Sequence, residues 1–471
     1  MVTNTSKNSS EKNESASTGT SSSLWFIILV SSAAGLGGLL YGYDTAVISG
    51  AIGFIQELYA LSPAMEGFVI SSIMLGGVIG VGFSGFLGDK IGRKKVLIIA
   101  AIVFALSAVL SAIASSVWVL IIARIIGGLG IGMASALSVT YITECAPPHI
   151  RGRLSSMYQL FTIIGLSATY FINLWIVNMG DNSWGIQTGW RYMLAVGVIP
   201  AIIFALTLIF VPESPRYLAR VGRNAEAKLI LNKINGSEVG AKEFALIEKS
   251  IKEEKNTSLK MLLEPGLRKA LGVGIFLAIF NQAIGYNSIT YYGPEIFKML
   301  GYVDNSSFVA TCIVGIVNII ATFIAVFLID TAGRKKLMAI GSLLMAIFAG
   351  LMSWQFSLDT PNVTMTLIFI IGFVTAFCMS MGPIPWIMIP EIFPNYLRAR
   401  ATGVVTIFLW GANFCIGQFT PMMLKGWGPA STYLLFAAIN VICFIFVLTI
   451  VPETKNKSLE EIEKFWTPKA K

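Results

Sequence analysis

Twelve long apolar segments are the feature of this sequence that most restricts its fold. They lie at roughly 24–55, 67–88, 96–115, 117–143, 154–178, 191–211, 271–297, 307–329, 337–355, 364–390, 401–424 and 431–451. Each holds about 20 residues or more, the length at which an α-helix crosses a hydrocarbon core of ~30 Å. Only 13% of the residues are charged, whereas about a quarter are charged in an ordinary soluble domain. The sequence therefore predicts an all-α integral membrane protein with twelve transmembrane helices.

Basic residues are concentrated in the loops between alternate apolar segments. Those loops carry Lys90, Arg93, Lys94, Lys95, Arg151, Arg153, much of 212–270, Arg334, Lys335, Lys336, Arg398, Arg400 and the C-terminal tail. The other loops hold almost only Arg191, Lys298 and Lys425. Because Lys and Arg collect on the cytoplasmic side, we expect this face and both termini to be cytoplasmic, in the plasma membrane. The net charge of +9 then reflects topology and does not indicate nucleic-acid binding.

Polar stretches divide the chain into two similar halves. Residues 1–22 lack the apolar core of a signal peptide and predict a disordered cytoplasmic tail, and 452–471 form a second cytoplasmic tail. Residues 212–270 predict a cytoplasmic helical linker between two six-helix bundles, 23–211 and 271–451. The bundles repeat each other at a shift of roughly 241 to 247 residues, as in transporters that rock one bundle against the other.

Four pairs of strings show this repeat. "DKIGRKK" returns as "DTAGRKK", "ECAPPHIRGR" as "EIFPNYLRAR", and "VPESPR" as "VPETKN". "GYDTAVISG" returns as "GYNSITYYG", which aligns Asp44 with Asn287, a residue that cannot ionise. The charges of the repeated loops also predict cytoplasmic clamps between the bundles, formed by Asp89, Arg93, Glu144, Arg153, Glu213, Asp330, Arg334, Glu391, Arg400 and Glu453.

Two charges lie inside the apolar segments of the first half. Asp44 in the first segment and Arg124 in the fourth have similar depths at ~1.5 Å per helical residue, so we expect them to meet. An isolated charge at the bilayer centre costs at least ~2.5 to 3.5 kcal/mol. One interpretation is a fixed ion pair between helices, although apolar packing can stabilise a protein as well as such a pair does. The other is a proton carrier, in which Asp44 exchanges a proton while Arg124 stays charged.

Neutral polar residues are concentrated in the second half. They are Asn281, Gln282, Asn287 and Tyr291 in the seventh segment, then Asn318, Gly382, Trp386, Trp410 and Asn413. Gly285 and Pro294 predict a local break of the seventh helix, which is tolerated where the backbone lines a cavity. Amides and aromatic rings suit a neutral polyol, whereas an anion would need Arg or Lys. Hydrogen bonds that only join helices are the alternative interpretation.

Several chemistries lack the residues that they need. The chain has one histidine and five cysteines without a CxxC pair, so neither a metal site nor a histidine-based catalytic triad is predicted. A phosphate-binding GxxxxGK[ST] motif is missing, which argues against ATP hydrolysis as the driving force. "GVGFSG" at 80–85 fits a dinucleotide motif but lies inside the second apolar segment, where it indicates helix packing. We expect neither enzymatic activity nor a cofactor.

Five motifs point to a known family: "GFLGDKIGRKK", "PESPR", "NQ…GYN", "GPIPW" and "PETKNKSLEEIE". They resemble those of the sugar porters of the major facilitator superfamily, over residues 24–465. "AAGLGGLLYGYDTAVISGAIGF" and "FLWGANF" are most similar to the bacterial arabinose–proton symporters, which also handle xylose and galactose. The resemblance implies a major facilitator fold, with Asp44 as the proton-coupling acid and Arg124 as its partner. It also implies sugar contact by Gln282, Asn287, Tyr291, Asn318, Trp386, Trp410 and Asn413.

Two positions depart from the xylose and glucose members of this family. The Gln-Gln pair of the seventh span is Asn281-Gln282, and the glutamine of the fifth span is Leu166. Fewer and shorter amides change which hydroxyls can be bound, so the specificity of those members does not transfer.

These features predict proton-coupled symport of a neutral monosaccharide into the cell by alternating access, carried out by a monomer in the lipid bilayer. The sugar is expected to be a pentose such as L-arabinose or D-xylose, or else galactose. A facilitative uniporter in which Asp44 is structural is the nearest alternative. A transporter-like sugar sensor would need a long cytoplasmic extension, and a drug–proton antiporter would need acids in the second half.

Overall fold

A computed structural model describes residues 11–147, 150–254, 259–394, 397–455 and 466. In these residues the secondary structure is helical, with a π-helix at Gly185–Gly189 and a 3-10 helix at Leu259–Leu263. The α-helices are α1 Glu11–Tyr59, α2 Pro63–Ile91, α3 Arg93–Ala112, α4 Val117–Cys145, α5 Arg151–Val177, α6 Asn182–Trp184, α7 Trp190–Val196, α8 Val198–Phe210, α9 Pro215–Arg220, α10 Asn224–Asn235, α11 Ser237–Glu254, α12 Leu267–Ala283, α13 Tyr286–Met299, α14 Asp304–Ala332, α15 Arg334–Phe356, α16 Val363–Met379, α17 Ile384–Glu391, α18 Arg398–Gly426 and α19 Gly428–Thr449.

Twelve helical stretches of the described chain are long and apolar enough to cross a membrane. Nine are single helices. The sixth runs from α6 to α8, the seventh joins α12 to α13, and the tenth joins α16 to α17. The prediction of a multi-pass, all-α membrane protein is confirmed.

The first helix is longer than the apolar segment that predicts it. α1 begins at Glu11, although its membrane-spanning part begins at Trp25. The stretch 11–22, which we expected to be disordered, therefore continues the helix. Lengthening an existing helix adds a hydrogen bond for each residue fixed, whereas starting one is costly, so the apolar span extends into the polar residues before it. The remainder of this predicted tail, 1–10, lies outside the described residues.

The region between the sixth and seventh spans contains α9, α10 and α11, where the sequence predicts a helical linker. Phe244 of α11 is buried, and the ammonium group of Lys228 on α10 lies 4.8 Å from the centre of its ring. Lys233, also on α10, lies 4.0 Å from the ring centre of Phe26 on α1. The short helices therefore pack on one another and against the start of the first span. Most of the predicted C-terminal tail, 456–465 and 467–471, lies outside the described residues.

The internal repeat is visible where the third and ninth spans begin. α3 and α15 each follow a glycine with positive φ, 102° at Gly92 and 93° at Gly333, a conformation that is costly for other residues. In both loops a backbone N–H of the new helix donates to a glutamate of the same half over 3.1 Å: Lys94 to Glu213, and Lys335 to Glu453. A carboxylate at a helix N-terminus satisfies free N–H groups and complements the helix dipole. The two halves thus begin these spans in the same way.

The halves also touch at the end of the spans that lies away from the basic loops, which we call the far end. Lys425 of α18 forms an ion pair with Glu66 of α2 at 2.7 Å. Gln418 of α18 donates to the carbonyl of Ala64 at 2.8 Å. In this structure the far ends of the two halves are therefore joined by polar contacts.

Candidate functional site between the two halves

The seventh span is broken twice in the region that carries most of the predicted polar residues. Gly285, with a φ of 99°, separates α12 from α13, so the predicted break at this glycine is confirmed. Tyr292 is the second non-helical residue. It lies two residues before Pro294, whose ring crowds the preceding turn and which has no N–H to donate to it. The breaks place polar side chains from both helix segments at one level of the bundle.

Five of the predicted residues form one hydrogen-bonded chain. Asn281 donates to the carbonyl of Met381 at 2.5 Å, and Gln282 donates to Asn281 Oδ1 at 2.5 Å. Asn287 donates to Gln282 Oε1 at 2.6 Å and to Asn413 Oδ1 at 3.2 Å. The hydroxyl of Tyr291 donates to the same Asn413 oxygen at 2.8 Å. All five side chains are buried, so the amides of α12, α13 and α18 form a continuous, uncharged polar network.

Other predicted residues lie around this network with fewer polar contacts. The carbonyl of Gly382 accepts a long hydrogen bond of 3.5 Å from Asn281. Trp410 is buried, and its indole N–H has no acceptor among the described residues. Trp386 is half-buried against the apolar core. These residues provide ring and backbone surface beside the amides.

Asn318 of α14 is not hydrogen-bonded to the amide network. Its Oδ1 accepts from the Cys378 thiol at 3.0 Å and from the Tyr286 hydroxyl at 3.4 Å. Its Nδ2 is buried and lacks a partner among the described residues. An unsatisfied buried donor is costly in protein interiors. Among the predicted sugar contacts, Asn318 and Trp410 have a buried donor without a partner in the described chain.

Tyr41 of α1 also contacts the amide network, although it was not predicted from the sequence. Its hydroxyl accepts from Asn413 Nδ2 at 3.5 Å, and its ring centre lies 5.6 Å from that of Trp410. Tyr41 is also one helical turn before Asp44, so a search for polar residues on the same face as the acid would have found it. Tyr41 thus connects the first half to the amide network.

Leu166 of α5 is buried in a small apolar cluster with Ala46, Tyr170 and Cys312. This is the position at which the resembling sugar porters carry a glutamine. At this position the first half therefore has a hydrocarbon side chain, whereas the second half carries the amides of the network.

The two membrane charges meet, as their depths predicted. Arg124 Nη2 lies 3.5 Å from Asp44 Oδ2, and the side chains are 2% and 12% exposed. Arg124 is also held by α2, because its Nε donates to the carbonyl of Val69 at 2.9 Å and its Nη2 donates to that of Ile70 at 3.4 Å. The shortest of these contacts is to a backbone carbonyl. The guanidinium is thus anchored to α2 and only loosely bonded to the acid.

Asp44 also lines a small pocket whose lining residues all belong to the first half. Its polar lining besides the charge pair comes from Tyr43 and from Ser107 and Ser111 of α3. Ionisable residues inside a membrane protein usually face such polar cavities, where they exchange protons. The acid is therefore buried and still has polar surroundings.

The charges of the basic loops form ion pairs inside each half. In the first half Arg93 pairs with Asp89 at 2.9 Å and with Glu144 at 3.0 Å. In the second half Arg334 lies 3.9 Å from Glu391. Glu213 and Glu453 cap helices of their own halves, and Arg400 is exposed. Each of these pairs joins residues of one half, and the clamp between the bundles stays a prediction. The side chains of Arg153 and Asp330 lie outside the described part.

The described residues contain no group of three or more His, Cys, Asp or Glu side chains that could hold a metal ion.

Comparisons with known proteins agree with this architecture. A family model described as "Sugar (and other) transporter" matches residues 30–466. The chain is 64% identical to the arabinose-proton symporter of Bacillus subtilis, over 95% of this chain and 96% of that protein. It is 37% identical to the D-xylose-proton symporter of Escherichia coli, over 95% of this chain and 97% of that protein.

A solved structure of the xylose transporter of Escherichia coli, in a partially occluded inward-open conformation, is similar to this fold. The TM-score is 0.83 at 35% sequence identity, covering 92% of this chain and 99% of the other. Fold, family model and full-length similarity agree, and the chain therefore belongs to the sugar transporter family of the major facilitator superfamily.

Proposed function

We propose that this protein is a proton-coupled symporter that imports a neutral monosaccharide by alternating access. The observation that carries the proposal is the placement of one buried acid, 3.5 Å from Arg124, beside an uncharged network of amides. L-arabinose is the first substrate to test, since the relative with 64% identity is an arabinose-proton symporter. D-xylose and galactose follow, because proton symporters for these sugars share 37% identity with the chain.

The amide network is the proposed sugar site. Its members now bond to one another, and a sugar hydroxyl can replace such bonds because it both donates and accepts. Trp410 and Asn318 offer additional buried donors that lack acceptors in the described chain. A site built to bond hydroxyls rejects ligands that lack them, because its buried polar groups would be left unpaired. Charged ligands are disfavoured by the absence of a compensating charge among these residues.

Asp44 is the proposed proton carrier. It takes a proton from outside, its attraction to Arg124 weakens, and the two halves tilt towards the inward-open state. Arg124 keeps its charge and its bonds to α2 throughout. One charge that crosses 100 mV releases ~2.3 kcal/mol, enough for roughly fiftyfold accumulation of sugar. A diffusion facilitator would have no use for this acid.

We further propose that the basic loops and both termini are cytoplasmic in the plasma membrane, and that the protein works as a monomer. The positive-inside rule supports the orientation. In this orientation the far end is extracellular, and its contacts between the halves belong to an inward-facing conformation.

The proposal is tested by sugar-induced alkalinisation in membrane vesicles. We expect L-arabinose to drive proton uptake by the wild type, whereas Asp44→Asn keeps sugar exchange and loses uphill accumulation. Glu226→Gln is the control, because Glu226 is an exposed carboxylate that pairs with Arg223 in the linker. Accumulation by Asp44→Asn at the wild-type level would refute the proton role. Exchange by the wild type without net proton uptake would instead favour a uniporter.

A further inference from the structure

One short segment of α2 contacts both the proton site and the opposite half. The segment is Ala64–Ser71, at the far end of the second span. It contacts Arg124 of α4, in the same half, and Gln418 of α18, in the other half. Its own carboxylate, Glu66, forms an ion pair with Lys425 of α18 at 2.7 Å and lies within electrostatic range of Glu295 of α13. A change at either contact therefore acts directly on the same two turns of helix.

The bonds to Arg124 lie on one side of the segment. The carbonyls of Val69 and Ile70 accept from the guanidinium at 2.9 and 3.4 Å, while Asp44 lies 3.5 Å away. A guanidinium has five N–H donors in a fixed planar arrangement. Its hydrogen bond to Asp44 and its hydrogen bonds to α2 therefore cannot change independently. When Asp44 becomes neutral it is a weaker acceptor, so the carbonyls of α2 hold a larger share of the guanidinium's hydrogen bonds.

The bonds to Gln418 lie on another side of the segment. Ser71 Oγ donates to Gln418 Oε1 at 3.1 Å, and Gln418 Nε2 donates to the carbonyl of Ala64 at 2.8 Å. Between them, a Cβ added to Gly67 would lie 2.2 Å from the carbonyl oxygen of Gln418. The two helices thus touch at the backbone, and one amide side chain bonds to both ends of the segment. Ser71 is completely buried.

We propose that Gln418 and Ser71 are positioning residues for proton coupling, which link the state of Asp44 to closure of the far end through Arg124 and Ala64–Ser71. The inference rests on the proposed function. Both bonds cross between the halves, so they are lost when the far ends separate. A bond that is present in only one of two conformations shifts the balance between them, and any effect of the proton on closure is matched by an equal effect of closure on proton affinity.

The direction of the pH shift expected when these bonds are lost follows from this reciprocity. If a proton on Asp44 favours closure of the far end, weaker closure lowers the affinity for that proton. The pH of half-maximal accumulation then moves towards acid. A neutral hydrogen bond contributes ~1 kcal/mol net, and 1.36 kcal/mol corresponds to one pH unit. The expected shift is about 0.7 pH unit for one lost bond.

The test compares Ser71→Ala with Ser353→Ala in vesicles. Ser353 donates to the carbonyl of Ala430 at 2.7 Å and joins α15 to α19 within one half, so this control removes a similar bond that does not cross between the halves. We expect Ser71→Ala and Gln418→Met to shift the pH profile of L-arabinose accumulation towards acid. We expect Ser353→Ala to keep the wild-type profile. In exchange assays with Asp44→Asn, the added Ser71→Ala change should produce no pH shift.

Three outcomes separate the inference from the proposed function. An unchanged pH profile in both Ser71→Ala and Gln418→Met, with coupling intact in the wild type, would overturn the positioning role alone. Equal shifts in Ser71→Ala and Ser353→Ala would also overturn it, since the bond between halves would then have no special effect. A wild type that never takes up protons with sugar would instead overturn the proposed function. If Gln418→Met fails to fold, Ser71→Ala decides, because it removes a single oxygen.

Discussion

The two halves of this protein share a backbone plan but differ in the chemistry at their centres. At the membrane edge they match closely: Gly92 and Gly333 have nearly equal φ angles, and each precedes a helix capped by a glutamate. At mid-membrane the first half has a buried ion pair, whereas the second half has Asn287 at the position equivalent to Asp44 and a chain of amides around it. Under the proposed function, the two halves keep the same structure at the membrane edge, while proton binding lies in the first half and sugar binding in the second.

The ion pair of the first half and the amide network of the second half differ in how much free energy is lost when one member is removed. Removing one partner of a buried ion pair leaves a charge without compensation and costs ~3 to 5 kcal/mol. Removing one amide from a network costs less, ~1 to 3 kcal/mol, because the remaining groups can bond to one another. Loss of Arg124 is therefore expected to lower the stability of the first half, whereas Asp44→Asn leaves the guanidinium bonded to the carbonyls of α2. Loss of an amide from the second half is expected to lower sugar affinity.

Arg124→Met should have the largest effect. It leaves Asp44 without its cation and leaves the carbonyls of Val69 and Ile70 without that donor. We expect a loss of ~3 to 5 kcal/mol in the stability of the first half, seen as faster thermal inactivation of sugar binding by purified protein. Arg124→Met/Asp44→Asn should recover much of this loss, because the unpaired charge is gone. Equal stability of Arg124→Met and wild type would contradict the dependence on the pair.

Asn287→Ala should have the next largest effect, on the sugar rather than on the proton. It removes the donor that bonds to Gln282 and Asn413, and we expect the affinity for L-arabinose to fall by about tenfold, equivalent to ~1.4 kcal/mol. The number of protons taken up per sugar should not change.

The control for this variant is Asn440→Ala. Asn440 is a buried amide of the same half that donates to backbone carbonyls of Ile284 and Phe436 at 2.9 and 2.8 Å, and it is outside the network. It should lower stability and keep sugar affinity. Equal loss of affinity in both variants would mean that the Asn287 network holds helices together and does not bind sugar.

Much of this arrangement was accessible from the sequence because charges and breaks are rare in apolar segments. Asp44 and Arg124 are each isolated in a long apolar run, so their depths alone predicted the contact. Gly285 stood out in the same way as a point where the seventh helix could end. Segment lengths fixed the twelve spans, because the bilayer sets the length of a helix that crosses it.

Contacts between helices were harder to predict, because periodicity gives the face of a helix and not its neighbour. The anchoring of Arg124 on α2 carbonyls depends on how α2 and α4 pack, and the backbone of Val69 has no sequence signal. The contact of Tyr41 with the amide network depends on how α1 packs against α18. Arg93 pairs with Glu144 within the first half, and the clamp that the repeated loops predict between the halves stays a prediction.

The contact between Glu66 and Lys425 tests whether charge also matters where the halves meet. Glu66 is buried, and the Lys425 side chain is 38% exposed, so the pair is worth ~1 kcal/mol. We expect Lys425→Met to favour the outward-facing state about fivefold, seen as a lower half-saturation concentration for external sugar. The exchanged pair, Glu66→Lys/Lys425→Glu, should return towards the wild type. No recovery would show that the far end depends on shape and not on this charge pair.

Leu166→Gln should have the smallest effect. It would make the polar chemistry of the two halves more alike. It gives the first half an amide near the site, where a hydrocarbon now packs with Ala46 and Tyr170. One additional neutral hydrogen bond is worth ~0.5 to 1.5 kcal/mol, so the ratio of D-xylose to L-arabinose transport should change about threefold or more. Leu166→Met, which keeps the apolar volume, should leave the ratio unchanged. If all three proteins had the same ratio, the second half alone would determine which sugar is chosen.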